Sequence, residues 1–262
     1  MSSESLLSEN SPVNVVLQFP PVPVAASFAF FNITSRGLSR FAAAPKELTA
    51  RGRAFRWHNI SVSLLHSVIG SVMSIMLLFN DPKVLQDPYG RKSEFLISFI
   101  SMSLGYFIYD AVENIRSRPL SQCWEILFHH SIMVSTQLTT LLDTNLAMMM
   151  GVALLTEINS IFIHTRQLML MAGQNMCHAS YRLVSYLTII TFCIRFAVVA
   201  WLLGCYMKIG EEMKFVQSKM LFVLSLAMLV LNVTLLMRIC VADILQIPRP
   251  ARSPINKVRK MK

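Results

Sequence analysis

The chain has 262 residues, 54% of them hydrophobic and only 15% charged, with a formal net charge of +10. Soluble domains carry about 25% charged residues, and here the apolar residues gather into runs of roughly 20, the length that crosses a hydrocarbon core; a soluble globular fold is excluded. The basic excess lies in loops and tails between those runs, as in a protein that meets an anionic membrane leaflet, and this excludes a nucleic-acid surface.

Residues 1–50 read as an N-terminal hydrophobic segment and a basic linker. Within them, residues 13–31, VNVVLQFPPVPVAASFAFF, are apolar but interrupted by Pro20, Pro21 and Pro23. No basic stretch precedes them, so a signal peptide fits poorly; a kinked span or a re-entrant segment is left, and a span is the expectation. Six further spans are expected at about 58–79, 94–111, 124–142, 146–170, 183–207 and 219–241, and all 11 prolines fall outside these six. Residues 242–262 read as a basic, disordered tail on the membrane surface. The expected fold class is all-α: a multi-pass membrane bundle with a six-helix core around a central lipid cavity and an N-terminal seventh span.

Lysine and arginine set the orientation. Residues 36–58 carry six and the tail after 248 another six; with Arg116, Arg118, Arg166 and Arg182 that side holds 16, against six in the opposing loops. The positive-inside bias places both regions in the cytosol. Two triplets, Asn32-Ile-Thr34 and Asn59-Ile-Ser61, match the glycosylation pattern, and the second should be unused on this topology. The five cysteines show no CxxC and no zinc spacing, so neither a disulfide framework nor a metal site is expected.

Ionisable groups inside spans cost about 2.5–3.5 kcal/mol on insertion scales and usually face a bundle interior or a wet cavity. In the first core span Asn59, Ser63, His66, Ser67, Gly70 and Ser74 form one stripe, read either as close helix packing or as a cavity wall holding His66. Tyr106, Asp110 and Glu113 share a face of the second. The third carries adjacent rings, His129 and His130, expected about 8–9 Å from the cytosolic start. Neighbouring residues diverge by about 100° around a helix, so one ring can face a site while the other orients it; two interfacial rings bonded to backbone are the plainer reading. In the fourth span Glu157, Ser160 and His164 lie on one face. A midplane Glu157 must be protonated, paired or solvated, and Arg195 and Arg238 are the candidate partners. Thr188, Thr191 and Arg195 share a face of the fifth span. Stripes of this kind on several spans predict a ring of helices around a cavity, polar at one end and apolar at the other, suited to an amphiphile.

RWHNISVSLLHS (56–67), GYFIYDAVE (105–113), WEILFHH (124–130) and LLTEINSIFIHTRQLML (154–170) together resemble the TLC domain of ceramide synthases and several smaller membrane proteins, over residues 51–241. The blocks are most similar to the small subgroup of TLC domain-containing proteins one and two. The resemblance implies membrane helices around an acyl-chain tunnel, with His129 and His130 matching the histidine pair needed for acyl transfer from acyl-CoA and Glu157 the first of two acidic positions. The second acidic position is Ser160 here, and the histidine expected just before the first is Thr156; these departures count against ceramide synthesis. For the subgroup the resemblance implies control of phospholipid acyl composition and membrane fluidity, limiting polyunsaturated chains, at the plasma membrane or the endoplasmic reticulum. Catalysis is then assigned to His129, His130 and Glu157, and lipid contact to His66, Tyr106, Asp110, Ser160, His164 and Arg195. Acyl-CoA is the expected donor, with no resident cofactor. The competing expectation is a non-catalytic lipid-binding regulator of a membrane partner such as an ion channel.

Overall fold

The computed structural model describes residues 21–41, 44–50, 53–176, 178–209 and 212–243. Among them the regular structure is helical: α1 Pro21–Phe41, α2 Lys46–Ala50, α3 Ala54–Asn80, α4 Glu94–Ser117, α5 Leu120–Leu142, α6 Ala147–Ala153, α7 Glu157–Met171, α8 Ala179–Lys208 and α9 Phe215–Asp243. All six expected core spans are present as helices, the fourth being divided. Five helical stretches are long and apolar enough to cross a membrane: α3, α4, the segment 144–171 that contains α6 and α7, α8 and α9. The chain is a multi-pass all-α membrane protein. Helix α5 has 23 residues but is not among the five; it is the helix that carries both histidines, Gln137 and four threonines and serines between 131 and 139.

The N-terminal segment departs from expectation. Helix α1 is described from Pro21 to Phe41 and ends ten residues past the anticipated end. Both Pro21 and Pro23 lie inside this helical stretch. It is not one of the five long apolar helices, and residues 13–20 lie outside the described residues. It packs on α4 and more lightly on α3. There the Ser27 hydroxyl donates to the Met102 carbonyl at 2.6 Å, and Phe31 is fully buried with its ring edge-on to Tyr106 at 5.1 Å.

The six core helices close a ring in the order α3, α4, α5, α9, α8, α7. Helix α6 touches α3, α4, α5 and α8, so it sits inside the ring rather than in it. Six of its seven residues, Ala147 to Val152, are buried. Turns of 3-10 helix flank it at Thr144–Leu146 and Leu154–Thr156. Such a break in mid-span frees backbone carbonyls that must find other partners, and Thr156 O finds Arg195 Nε at 3.3 Å.

Local chemistry fixes the helix ends. Ser93 caps α4, its hydroxyl accepting from Leu96 N at 3.4 Å, with Glu94 in the first turn against the helix dipole. Gly173, at φ 77, ends α7 in the left-handed conformation that glycine adopts without a side-chain clash. Where ends of α7, α8 and α9 meet, Arg166 pairs with Asp243. The same carboxylate accepts from Tyr181 Oη at 3.0 Å and from Ser185.

Candidate functional site

Three helices present matching stripes to one cavity. On α5 the wall is His129, Met133, Thr136 and Thr140; on α8 it is Arg195, Val199, Leu202 and Tyr206; on α9 it is Leu221, Ser225, Met228 and Asn232. Each set follows the three- and four-residue spacing of one helix face. Leu146, Met149, Met150, Ala153, Thr156 and Glu157 from the broken span complete the enclosure. The cavity encloses about 770 Å³ of space outside protein atoms, the solvent at its open mouth included.

Polar groups collect at one level. His129, Glu157, Arg195 and Asn232 sit near the middles of their spans, while Met149, Met150, Leu202 and Leu221 line the rest. His129 is nine residues into α5, so it lies about 14 Å along the helix from its start. The helix begins at Leu120, four residues before the anticipated start of the span at Trp124.

The two histidines part ways. His129 lines the cavity and meets Phe107 and His130 edge-on, at 6.2 and 5.5 Å between ring centroids. His130 points instead into the α4 contact, where its Nε2 lies 3.2 Å from Asp110 Oδ2 and its Nδ1 3.4 Å from Phe107 O. Asp110 is buried and fully engaged: Asn59 Nδ2 donates to Oδ1 at 2.8 Å and Asn114 Nδ2 to Oδ2 at 2.9 Å.

A second buried chain links α5, α4 and α3. Gln137 Nε2 donates to Ser103 Oγ at 3.0 Å, and that hydroxyl is 3.1 Å from His66 Nε2. The His66 ring stacks on Tyr106 with centroids 3.8 Å apart and planes 10° from parallel, ringed by Phe31 and Phe107. His66, Tyr106 and Asp110 therefore pack between helices rather than on the cavity wall, with the other polar members of the α3 stripe used for helix packing as well: Ser67 Oγ donates to Glu157 Oε2 at 2.7 Å. Gly70 leaves room for the Glu157 methylenes, which would stand 3.2 Å from any Cβ there.

Neither arginine pairs with Glu157 as the sequence suggested. Arg238 reaches Glu125 on α5, at 2.5 and 2.7 Å. Arg195 uses neutral partners: Nη2 donates to Ser160 Oγ at 2.6 Å, Nη1 to Asn232 Oδ1 at 2.9 Å and Nε to Thr156 O. Ser160 thus stands behind the arginine, outside the lining, and so does His164, whose Nδ1 is buried without a hydrogen-bond partner. Thr188 and Thr191 do not reach the cavity; Asn159 Nδ2 binds the Thr188 carbonyl and the Thr191 hydroxyl. Of the nine residues singled out from sequence, His129, Glu157 and Arg195 come together on the cavity wall. Asn232, Thr136, Thr140 and Tyr206 were missed. Asn232 could have been found, since it is an amide in mid-span in the run LAMLVLNVTLLM.

The TLC-domain family profile matches residues 56–241. TLC domain-containing protein 2 of Danio rerio is 34% identical over 179 residues, covering 68% of this chain and 71% of the relative. TLC domain-containing protein 1 of Gallus gallus is 28% identical over 208 residues, 76% of this chain and 80% of the relative. TLC domain-containing protein 2 of Homo sapiens is 32% identical over 149 residues, 57% of this chain; the match spans about half of that relative, 55% of its length. No solved structure gives a significant match. The matched residues run from the start of α3 to the end of α9 and include every helix that lines the cavity: the chain belongs to the TLC-domain family and is a membrane protein of a lipid-related kind.

Proposed function

We propose that this protein sets the acyl-chain composition of membrane phospholipids, limiting polyunsaturated chains and thereby fluidity, by acyl transfer at the His129 tier of the cavity. The observation that carries the reading is the wall itself: an imidazole, a carboxylate, a guanidinium and an amide at one level of a cavity within the bilayer span, with threonine and serine hydroxyls, Tyr206 and apolar side chains lining the rest. That is the shape of a site for an acyl chain with a polar end. His129 presents an imidazole, the side chain best suited to move a proton near neutral pH. In the proposed step a His129 nitrogen takes the proton of a lysophospholipid hydroxyl as its oxygen attacks the thioester carbonyl of acyl-CoA. The carbon–sulfur bond breaks, and the departing thiolate recovers the proton from the imidazolium. His130 acts as a positioning residue, held by Asp110. The plasma membrane is the proposed location. The test is acyl transfer by the purified protein from labelled acyl-CoA to a lysophospholipid panel, beside His129→Ala. A product that disappears in the variant supports the reading; no His129-dependent product sinks the transferase.

A specific observation favours a second reading. Glu157 gives one carboxylate oxygen to Ser67, and a serine, Ser160, stands at the second acidic position of the family pattern, where it serves Arg195. A non-catalytic lipid-binding regulator fits that arrangement. It predicts that expression alters cellular acyl composition while the purified protein turns over no acyl-CoA.

A further inference from the structure

Arg195 is a buried cation on the wall of the cavity. It is 7% exposed, and among the described residues no carboxylate lies within ion-pair distance of it. Glu157 shares the wall with one oxygen held by Ser67 of α3, and its charge acts on Arg195 only from beyond ion-pair distance. Removing a guanidinium from water costs several kcal/mol, which an opposite charge in good geometry offsets; its present partners, a hydroxyl, an amide oxygen and a peptide carbonyl, carry no charge. A guanidinium has five N–H groups. Three are used, leaving one on each terminal nitrogen. Asn232 and Ser160 grip the group from α9 and α7, so its position is set before any ligand arrives.

The surroundings define the rest of the ligand. Past the arginine the α8 stripe is Val199, Leu202 and Tyr206, faced by Leu221 and Met228 of α9. An unbranched chain matches this lining, with methionines to adapt to its contour.

From this geometry we infer that Arg195 is the head-group anchor of the cavity, and that the ligand is a single-chain lipid with an anionic head, a fatty-acid carboxylate or a lysophospholipid phosphate, its chain lying along the α8–α9 wall. The inference deepens the proposed function and rests on its reading of the cavity as a lipid site. It requires no chemistry, only binding.

Competition binding on the full-length protein in detergent, with labelled oleate as probe, tests it. Oleyl alcohol has the same chain without charge, and oleoyl lysophosphatidate the same chain on a phosphate. Oleate should bind at least about tenfold more tightly than oleyl alcohol, the effect of one charge-assisted hydrogen-bonded pair. Arg195→Gln should bring the two within about twofold, and Arg195→Lys should keep most of the preference. Whichever anion displaces the other names the head. Equal binding of oleate and oleyl alcohol to the unmodified protein overturns the inference, as does an oleate preference that survives Arg195→Gln. The unmodified protein's ratio decides alone should the variants fail to fold. Loss of the inference leaves His129-dependent acyl transfer intact; an anion preference without transfer defeats the catalytic reading instead.

Discussion

His130 Nε2 stands 3.2 Å from Asp110 Oδ2, tying α5 to α4, while the adjacent His129 turns to the cavity from the neighbouring face of the same helix. Two identical side chains next to each other thus do different work. The difference comes from the roughly 100° between neighbours on a helix, and it has a consequence for mutagenesis.

Truncating the pair should separate stability from function. His130→Ala removes one partner of a buried carboxylate and should lower stability by about 1–3 kcal/mol. Asp110→Ala strands Asn59, Asn114 and His130 together and should cost more, about 3 kcal/mol or above. His129→Ala only enlarges a space that already exists, and should shift stability by less than about 1 kcal/mol while abolishing acyl transfer. Thermal unfolding of the three variants in one detergent checks the order; an unfolding midpoint for His129→Ala as low as that of Asp110→Ala would refute the division of roles.

The docking of α1 depends on a missing side chain. A Cβ at Gly105 would stand 2.5 Å from Val24 O and 2.6 Å from Ser27 Cβ, and a backbone oxygen cannot step aside as a flexible side chain can. Gly105→Ala should therefore push α1 off α4, costing about 1–3 kcal/mol as overpacking does and exposing residues 21–41 to protease. Gly204→Ala is the control. Nothing lies within 4 Å of its Cβ position, and it should be neutral or stabilising by up to about 1 kcal/mol from helix propensity.

The spans were legible because apolar runs of 20 residues separated by prolines and basic loops have few other solutions in a membrane. The site was legible in part, for a reason that recurs on α8 and α9. Lipid and cavity are both apolar, so Leu202 or Leu221 on the wall looks the same in sequence as a leucine facing lipid. Only polar residues betray direction, and they do so ambiguously: His66 and Arg195 are both buried ionisable side chains in mid-span, yet one is stacked on Tyr106 between helices and the other lines the cavity. The end of α1 was not legible because the helix runs on through Asn32, Thr34, Ser35 and Arg36, where the apolar run has stopped.

Filling the cavity should remove function without unfolding the protein. Ala153 lines it from α6, beside the polar tier. Ala153→Phe places a ring in space now empty. The expected result is loss of co-purifying lipid, measured by extraction and mass spectrometry, and of acyl transfer, with the unfolding midpoint unchanged or raised. Retained lipid in a folded Ala153→Phe protein would mean that the ligand lies elsewhere.

The Asp243 clamp should behave as one unit. Its carboxylate holds Arg166 of α7 and Tyr181 and Ser185 of α8, so three helices meet on one group. Asp243→Ala leaves the largely buried Arg166 without its counter-charge, and breaking such a pair from one side costs about 3–5 kcal/mol when fully buried; with Arg166 13% exposed, about 2–4 kcal/mol is expected. Arg166→Met alone should cost a similar amount by stranding the carboxylate. The double variant Arg166→Met/Asp243→Leu should recover part of either loss, because no uncompensated charge then stays behind. Additive losses in that cycle would show that the helices are held by their apolar packing and that the clamp contributes nothing of its own.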